Sequence, residues 1–301
     1  MANRNYSNKP KRDVAQEITN HIITAIENGA NGKDFKMPWH GAKSMPINAA
    51  TNNFYNGVNV INLWMANFPS NTFATYKQWN DIGAQVEKGS KGFPVVFYSV
   101  KEKQTEDKDK PEKYMILKYS TVFAAEQVSG YELPTIENTT NLVETQDHAE
   151  TFFFNTGVNI KHGENRAYYV PSKDFVNMPP KNVFIDTTST ATENYYSTLA
   201  HECTHATGHD HRLGRRKEIQ RKYESNQKRA YAFEELVAEL GAAYLMAYLG
   251  LEATPRLDHA QYIESWLSVL KEDKRAILKA GSLASKALDW MQAKQDMVQA
   301  A

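Results

Sequence analysis

The chain has 301 residues, 41% of them hydrophobic, so it is long enough for one large domain or two ordinary ones with a proper core. Its 35 Lys and Arg residues balance 35 Asp and Glu, which argues against both a strongly acidic DNA mimic and a strongly basic histone-like protein. The single cysteine, Cys203, excludes an internal disulfide, and the lack of a signal-peptide core or an apolar membrane span predicts a cytoplasmic protein without a membrane partner.

The first half of the sequence alternates between helical and strand patterns. Apolar residues at helical spacing predict a helix over residues 13–27, and two further helices are predicted over 58–68 and 75–86. The β-branched and aromatic run 93–98 predicts a strand, and 114–123 predicts its partner beyond a highly charged loop. These elements predict a small α+β domain.

A polar stretch, residues 134–148, is poor in large apolar groups and predicts a linker between two domains. The domains would then be residues 1–133 and 149–301. In the second domain we predict a helix at 149–155 and short strands near 160, 168–170 and 182–185. We also predict a helix that ends at 207 and three further helices, over 231–248, 260–270 and 275–291. The expected fold class is therefore α+β with two domains.

The helix that ends before Gly208 carries a metal-binding motif. Thr190 and Glu193 predict a capping box at its start, and the H-E-x-x-H motif begins at His201. His201 and His205 are four residues apart, so their rings share one helix face and can bind one zinc ion. Glu202 is rotated by about 100° from His201 and is placed to act as the general base.

Two histidines leave a catalytic zinc one protein ligand short. The downstream candidates are His209, His211, Glu234, Glu235 and Glu239. His211 nearly completes a longer metzincin-type pattern, but no convincing methionine turn follows it. The apolar helix around 231–248 should be buried, and a buried carboxylate needs a partner. We therefore favour Glu235 as the third ligand and Glu239 as the acceptor of an N–H from a ligand histidine.

Other residues near the motif have less specific roles. Cys203 is interpreted as a small buried apolar residue. A donor for the developing oxyanion is also needed, and Tyr168, Tyr169 and Tyr231 are candidates among which the sequence does not choose.

The residues around the motif resemble the zincin-like metallopeptidase domain of ArdC-type antirestriction proteins. The matching positions are Asp174, Met178-Pro179, Tyr195-Tyr196, the segment His201–His209, Arg212-Leu213 and the segment Phe233–Leu240. The first half resembles the N-terminal domain of the same family at Pro38-Trp39, Pro46, Asn48, Tyr55, Gly57, Asn59, Thr72-Phe73, Gln78-Trp79, Gly83-Ala84, Lys88-Gly89, Lys91-Gly92 and Val122-Phe123. Cys203, Thr204 and Ala206 depart from the family pattern, which is commonly more hydrophobic and includes a tryptophan here.

The resemblance implies a protein of plasmids and other mobile elements that protects incoming DNA from host restriction. It implies an N-terminal domain that binds single-stranded DNA and is similar to that of TraC-type primases. It also places the third metal ligand in the segment that contains Glu235, which supports Glu235 over His211.

Single-stranded DNA binding needs cationic grooves and exposed aromatic side chains. Residues 1–100 contain ten Lys and Arg against six Asp and Glu, a modest excess, and many aromatic residues, most of which are expected in the core. Trp39 lies in a Pro-containing loop near Lys43 and is predicted to be the exposed stacking residue. Lys88 and Lys91 lie in a glycine-rich turn and are predicted to contact phosphates.

Two functional hypotheses follow. In the first, the protein is an antirestriction factor that couples a single-stranded DNA-binding domain to a zinc-dependent peptidase-like site, with manganese as an alternative metal because a His, His, Glu site accepts several divalent ions. A host restriction enzyme is then a candidate target. In the second, the protein acts by binding alone and its metal site is structural or vestigial.

Overall fold

A computed structural model describes residues 13–31, 37–40, 42, 44–103, 112–133, 142–187, 189–254 and 262–299. Within these residues helices and sheets are mixed, and an N-terminal and a C-terminal part follow one another, as the α+β prediction expects. The N-terminal elements are α1 (Val14–Asn31), β1 (Ile47–Asn48), α2 (Val58–Trp64), β2 (Thr72–Thr75), α3 (Tyr76–Asp81), β3 (Gln85–Val86), β4 (Phe93–Lys103), β5 (Glu112–Ala124), a 3₁₀ helix (Ala125–Gln127) and β6 (Val128–Ser129).

The N-terminal part is built around a four-stranded sheet of order β1-β2-β5-β4, beside a small β3-β6 pair. Strands β4 and β5 form a long antiparallel hairpin. Helix α2 is attached to β4 by the Asn59 side chain, which donates to the Val96 carbonyl and accepts from the Val96 N–H, both at 2.8 Å. Thr75 begins α3 with a capping box that includes Gln78.

The C-terminal part is mostly helical. Its elements are α4 (Leu142–Asn155), β7 (Ile160–His162), β8 (Tyr168–Val170), β9 (Phe175–Met178), a 3₁₀ helix (Lys181–Val183), α5 (Ala191–Thr207), α6 (Arg215–Lys222), α7 (Gln227–Tyr248), α8 (Ile263–Glu272) and α9 (Ala276–Gln299). The strands form a sheet of order β7-β9-β8. Helix α5 has the predicted capping box of Thr190 and Glu193, and Gly208 is its C-cap.

Several local predictions were wrong. Residues 182–185 form part of a 3₁₀ helix and an irregular segment instead of a strand, and α3 is shorter than the helix predicted over 75–86. Helix α4 starts at Leu142, so the end of the stretch predicted to be a linker is helical. Helix α6 was missed because, in the sequence RRKEIQRK, only Ile219 is apolar and no periodic stripe exists.

The two parts of the chain share one hydrophobic core, which runs from α1 to α9. Helix α1 packs against α8, and α2 packs against α9. At the second contact a Cβ atom added to Gly281 would lie 2.7 Å from the Val58 backbone nitrogen, so only glycine allows this approach. The Tyr244 hydroxyl and Ser285 Oγ also bond the backbone of Gly57, at 2.9 Å each. The N-terminal part is therefore packed directly onto the C-terminal helices.

Among the residues that the structure describes, none of the helices has an apolar stretch long enough to cross a lipid bilayer.

Candidate metal centre

Helices α5 and α7 pack side by side and bring the three predicted ligands together. His201 and His205 are buried one turn apart on α5, and Glu235 is buried on the facing side of α7. The Nε2 atoms of the two histidines are 3.1 Å apart. The Glu235 carboxylate oxygens lie 3.3 Å from His201 Nε2 and 3.4 Å from His205 Nε2. Donors at about 2.1 Å from a tetrahedral ion are separated by about 3.4 Å. The spacing of this cluster therefore fits a divalent metal ion.

The outer nitrogens of both rings support the same conclusion. His205 Nδ1 lies 3.1 Å from Glu234 Oε1, and His201 Nδ1 lies 3.5 Å from Glu239 Oε2. An ionised carboxylate can only accept a hydrogen bond, so His205 Nδ1 is the donor to Glu234, while Glu239 lies within ion-pair distance of His201 Nδ1. The two Nε2 atoms and Glu235 then converge as electron-pair donors, an arrangement that attracts a cation.

The charges of the cluster favour a cation at His205 Nε2, which is either a proton or a metal ion. Burial favours a neutral His205 ring, but the charges of Glu235 and Glu234 outweigh burial and raise the pKa of His205 to about 10. Burial opposes ionisation of Glu235 as well, yet the neighbouring rings of His205 and His201 lower its pKa. Negative charge thus dominates the centre and favours a bound cation.

A buried arginine supports the His205 side of the cluster. Arg215 Nη2 and Nε donate to the two oxygens of Glu234 at 2.8 and 3.1 Å, while its other bonds go to Thr207 Oγ1 and the Thr204 carbonyl, both at 2.6 Å. Burial would raise the pKa of Glu234, but Arg215 and His205 lower it to about 2. The carboxylate therefore stays ionised and can accept the His205 N–H.

The His201 side is supported from the N-terminal part of the chain. Glu239 Oε1 accepts a hydrogen bond from Trp39 Nε1 at 3.3 Å and lies 2.9 Å from His40 Nε2. The other oxygen of Glu239 faces His201. Glu239 therefore lies beside His201, and its role as acceptor of the ring N–H stays a prediction. Nothing in the sequence pointed to His40, which is about 200 residues away along the chain.

Glu202 and several tyrosines line a cavity of about 650 Å³ that opens beside the ligands. Tyr169 donates to Asp174 Oδ1 at 2.8 Å, so its hydroxyl is already engaged. Tyr231 lies one helical turn before Glu235, with its hydroxyl 3.3 Å from that of Tyr262. Burial, the contact with Tyr262 and the charge of Glu235 raise the pKa of Tyr231, which keeps the phenol protonated and able to donate.

The alternative ligand His211 belongs to a different cluster. His211 Nε2 lies 3.2 Å from Asp174 Oδ2, and Asp174 is held by two hydrogen bonds from Arg212, at 2.7 and 2.9 Å. His209 is the third member of this group. The match to the longer metzincin pattern therefore does not bring His211 to the cluster of His201, His205 and Glu235.

The four residues predicted to contact DNA differ in where the structure places them. The prediction that Trp39 is an exposed stacking residue is wrong, because its side chain is 0% exposed and packs edge-on against Trp266. Lys43 lies outside the described residues. Lys88 and Lys91 are exposed in the turn between β3 and β4, as a phosphate-contacting role would require, and that role stays a prediction.

The β4–β5 hairpin exposes aromatic side chains that the sequence did not single out. Phe97 is 46% exposed, Tyr98 57% and Tyr119 48%. Phe97 pairs across the strands with the exposed Lys118, so these two side chains share a face, while Tyr98 and Tyr119 are diagonal neighbours on the other face. The alternation of large aromatic and charged residues is visible in the sequence, but the exposure of the aromatic side chains depends on which elements cover the hairpin.

Known proteins match both halves of the chain. Residues 12–123 match the model for the N-terminal domain of the anti-restriction factor ArdC, and residues 147–283 match the model for a zincin-like metallopeptidase. The fold and site thus define a two-domain protein with a metallopeptidase-like C-terminal half. The crystal structure of the ArdC antirestriction protein from plasmid R388 in metal-free form is 37% identical, with a TM-score of 0.75 over 94% of this chain and 98% of that chain. Its Mn(II)-bound form has a TM-score of 0.72 over the same shares.

Curated proteins of similar sequence also match this chain. Protein y4eC of Sinorhizobium fredii is 38% identical over 95% of this chain and 94% of its own length. The DNA primase TraC of Escherichia coli is 31% identical over 93% of this chain, but the chain spans only 27% of that protein. This chain belongs to the ArdC family of antirestriction proteins, which confirms the resemblance noted in its sequence.

Proposed function

We propose that this protein is a cytoplasmic antirestriction factor that binds single-stranded DNA through its N-terminal part and holds a divalent metal at a peptidase-like centre in its C-terminal part. One observation carries the second half of the proposal: the Nε2 atoms of His201 and His205 and the carboxylate of Glu235 converge with metal-ligand spacing. Zinc suits this donor set, and manganese is the alternative, since the R388 relative was crystallised with Mn(II).

The residues around the cluster support peptide hydrolysis. A divalent ion held by the three ligands would polarise a peptide carbonyl and lower the pKa of a water molecule. The Glu202 carboxylate lines the same cavity and is assigned to accept the proton of the attacking water and to return it to the leaving amine. Tyr231 lines the cavity one helical turn before Glu235, and it is assigned to donate its hydroxyl hydrogen bond to the developing oxyanion.

The Glu202→Gln variant tests the catalytic assignment. This change keeps the size of the side chain and the three ligands but removes the base. We expect unchanged metal content by elemental analysis and loss of cleavage of fluorescently labelled casein. Glu218→Gln, an exposed carboxylate on α6, serves as the matched control. Cleavage by Glu202→Gln at the wild-type rate would contradict the mechanism.

Protection of DNA in cells separates the two functional hypotheses. An unmodified plasmid is transferred into a restricting host that expresses the wild type, Glu202→Gln or Glu235→Ala. If hydrolysis of a host protein such as the restriction enzyme protects the DNA, both variants should lose protection. If protection survives in Glu202→Gln and is lost in Glu235→Ala, the metal is structural and the protein acts by binding.

The β4–β5 hairpin is the surface that we assign to single-stranded DNA. Tyr98 and Tyr119, which lie on the same face of the hairpin, are aromatic platforms for bases, and the β3–β4 turn adds the exposed lysines predicted from the sequence. Aromatic stacking with nearby cations is how proteins hold single strands without strong sequence preference. This surface replaces the buried Trp39 in the proposal.

Fluorescence anisotropy with a labelled oligo-dT tests this surface. Replacing both Tyr98 and Tyr119 by alanine should weaken binding by about 1–3 kcal/mol per stacked base. Tyr76→Ala, an exposed aromatic on α3, is the matched control. Each lost phosphate contact should reduce the slope of log K against log salt by about 0.7, so Lys88→Gln and Lys91→Gln are measured from 50 to 200 mM salt, with Lys77→Gln as control. Equal binding by the hairpin variant and Tyr76→Ala would place the DNA elsewhere.

A further inference from the structure

The outer support of the candidate metal centre differs between its two histidines. His205 is supported by Glu234 and Arg215, which belong to the same C-terminal part as the ligands. His201 is supported by Glu239, and the partners of Glu239 Oε1 come from residues 39 and 40 of the N-terminal part. A contact of this kind connects one half of the molecule to the chemistry of the other half.

The hydrogen bonds around His40 determine which ring nitrogen carries the proton. The Met37 backbone N–H donates to His40 Nδ1 at 3.2 Å, so Nδ1 is the acceptor. The proton of the neutral ring therefore lies on Nε2, which donates to Glu239 Oε1 at 2.9 Å. Trp39 Nε1 is always a donor and adds a second, longer bond to the same oxygen.

These donors define what Glu239 can do. The carboxylate is buried, and two N–H groups on Oε1 hold its plane in one orientation. In that orientation Oε2 lies 3.5 Å from His201 Nδ1, within ion-pair distance. An oriented carboxylate behind a ligand histidine selects its tautomer and makes its inner nitrogen a better metal donor.

Packing holds the residue 39–40 segment against the C-terminal helices. Trp39 is fully buried, its ring lies 6.1 Å from that of Trp266 on α8, and the His40 side chain is buried as well. The donors are therefore fixed by the core and not by solvent-exposed contacts.

We infer that His40, assisted by Trp39, is a positioning residue of the metal centre, so that the N-terminal part completes the outer layer of a site whose ligands all lie in the C-terminal part. The inference rests on the proposed metal centre. It states that the full chain, through the contact of residues 39 and 40 with Glu239, binds the metal more tightly than the three ligands alone would.

The test measures the affinity of the full-length protein for Zn²⁺ by competition with a fluorescent chelator. His40→Leu removes the donor and should weaken binding by about 10–100-fold, the usual effect of losing such a partner. His40→Gln places an amide N–H near the position of Nε2 and should restore most of the affinity. Trp39→Phe removes only the longer bond and should have a smaller effect than His40→Leu.

Two comparisons distinguish positioning from general destabilisation. Trp79→Phe removes a buried indole N–H that donates to the Phe123 carbonyl in a separate core cluster, and it should leave Zn²⁺ affinity unchanged. In a Glu239→Ala background, His40→Leu should have no further effect on affinity, because its route to His201 is gone.

The outcomes are decisive in either direction. Wild-type affinity in folded His40→Leu, equal losses in His40→Gln and His40→Leu, or an equal loss in Trp79→Phe would overturn the inference. If the wild type binds no Zn²⁺ or Mn²⁺, or binds it as weakly as His201→Ala, the proposed metal centre itself fails. Should His40→Leu not fold, His40→Gln and Trp39→Phe, with Glu239→Ala as background, still decide the question.

Discussion

Arg215 offers the sharpest test of how the metal centre is supported. The side chain is 1% exposed, and its guanidinium makes the paired contact with Glu234 and bonds Thr207 and the Thr204 carbonyl. Arg215→Met keeps the length of the chain but removes every donor. Glu234 would then remain as a buried charge with only His205 as a described partner.

The expected loss of stability follows from the burial of both Arg215 and Glu234. Breaking a buried ion pair by removing one member costs about 3–5 kcal/mol, because the remaining charge loses its compensation. Urea unfolding should be followed in the presence of EDTA, so that a change in metal binding does not enter the free energy of unfolding. Lys217→Met breaks the exposed pair with Asp210 and should cost less than about 1 kcal/mol.

A second variant checks the reason for the loss. Glu234→Gln removes the buried charge, so the double variant Arg215→Met with Glu234→Gln should be more stable than Arg215→Met alone. The reasoning is refuted if Arg215→Met is as mild as Lys217→Met, or if Glu234→Gln destabilises the Arg215→Met protein further.

Three further predictions concern the junction, the thiol and the cavity. Gly281→Ala should lower the free energy of unfolding by about 1–3 kcal/mol in urea titrations, since its Cβ would lie 2.7 Å from the Val58 nitrogen; a variant as stable as the wild type would contradict this close approach. Burial and the charge of Glu202 raise the pKa of Cys203, so its thiol should react with a disulfide reagent only after unfolding, and rapid reaction of the native protein would be inconsistent with the packing. Tyr231→Phe should reduce casein cleavage by about 100-fold while leaving Zn²⁺ affinity unchanged, and undiminished cleavage would remove Tyr231 from the mechanism.

The metal cluster was predictable because its parts repeat at helical spacing. The motif from His201 to His205, the capping box at Thr190 and the pair Glu235 and Glu239 are each local patterns of one helix. Local spacing determines which side chains share a helix face, and the expected burial of α7 made a carboxylate on it costly without a partner. The choice of Glu235 over His211 therefore rested on the expected packing of the two helices, and the family resemblance supported it.

The DNA surface was less predictable because exposure is not a local property. Trp39 in a Pro-containing loop with nearby lysines resembles an exposed residue in sequence, yet α8 and Glu239 enclose it. Phe97 and Tyr98 have the composition of a buried strand, yet the hairpin leaves them partly exposed. For these residues the covering element is far away in the chain, and no periodicity reports its position.

The sequence by itself determined the class of the fold and the helix that carries the motif, since these depend on spacing within single elements, and its resemblance to known proteins determined the family. Only the tertiary structure decided that Arg215 compensates Glu234, that the hairpin presents its aromatic side chains, and that His40 reaches Glu239 across about 200 positions of sequence. Those contacts arise from the packing of the N-terminal part on helices α7, α8 and α9, which a linear pattern does not encode.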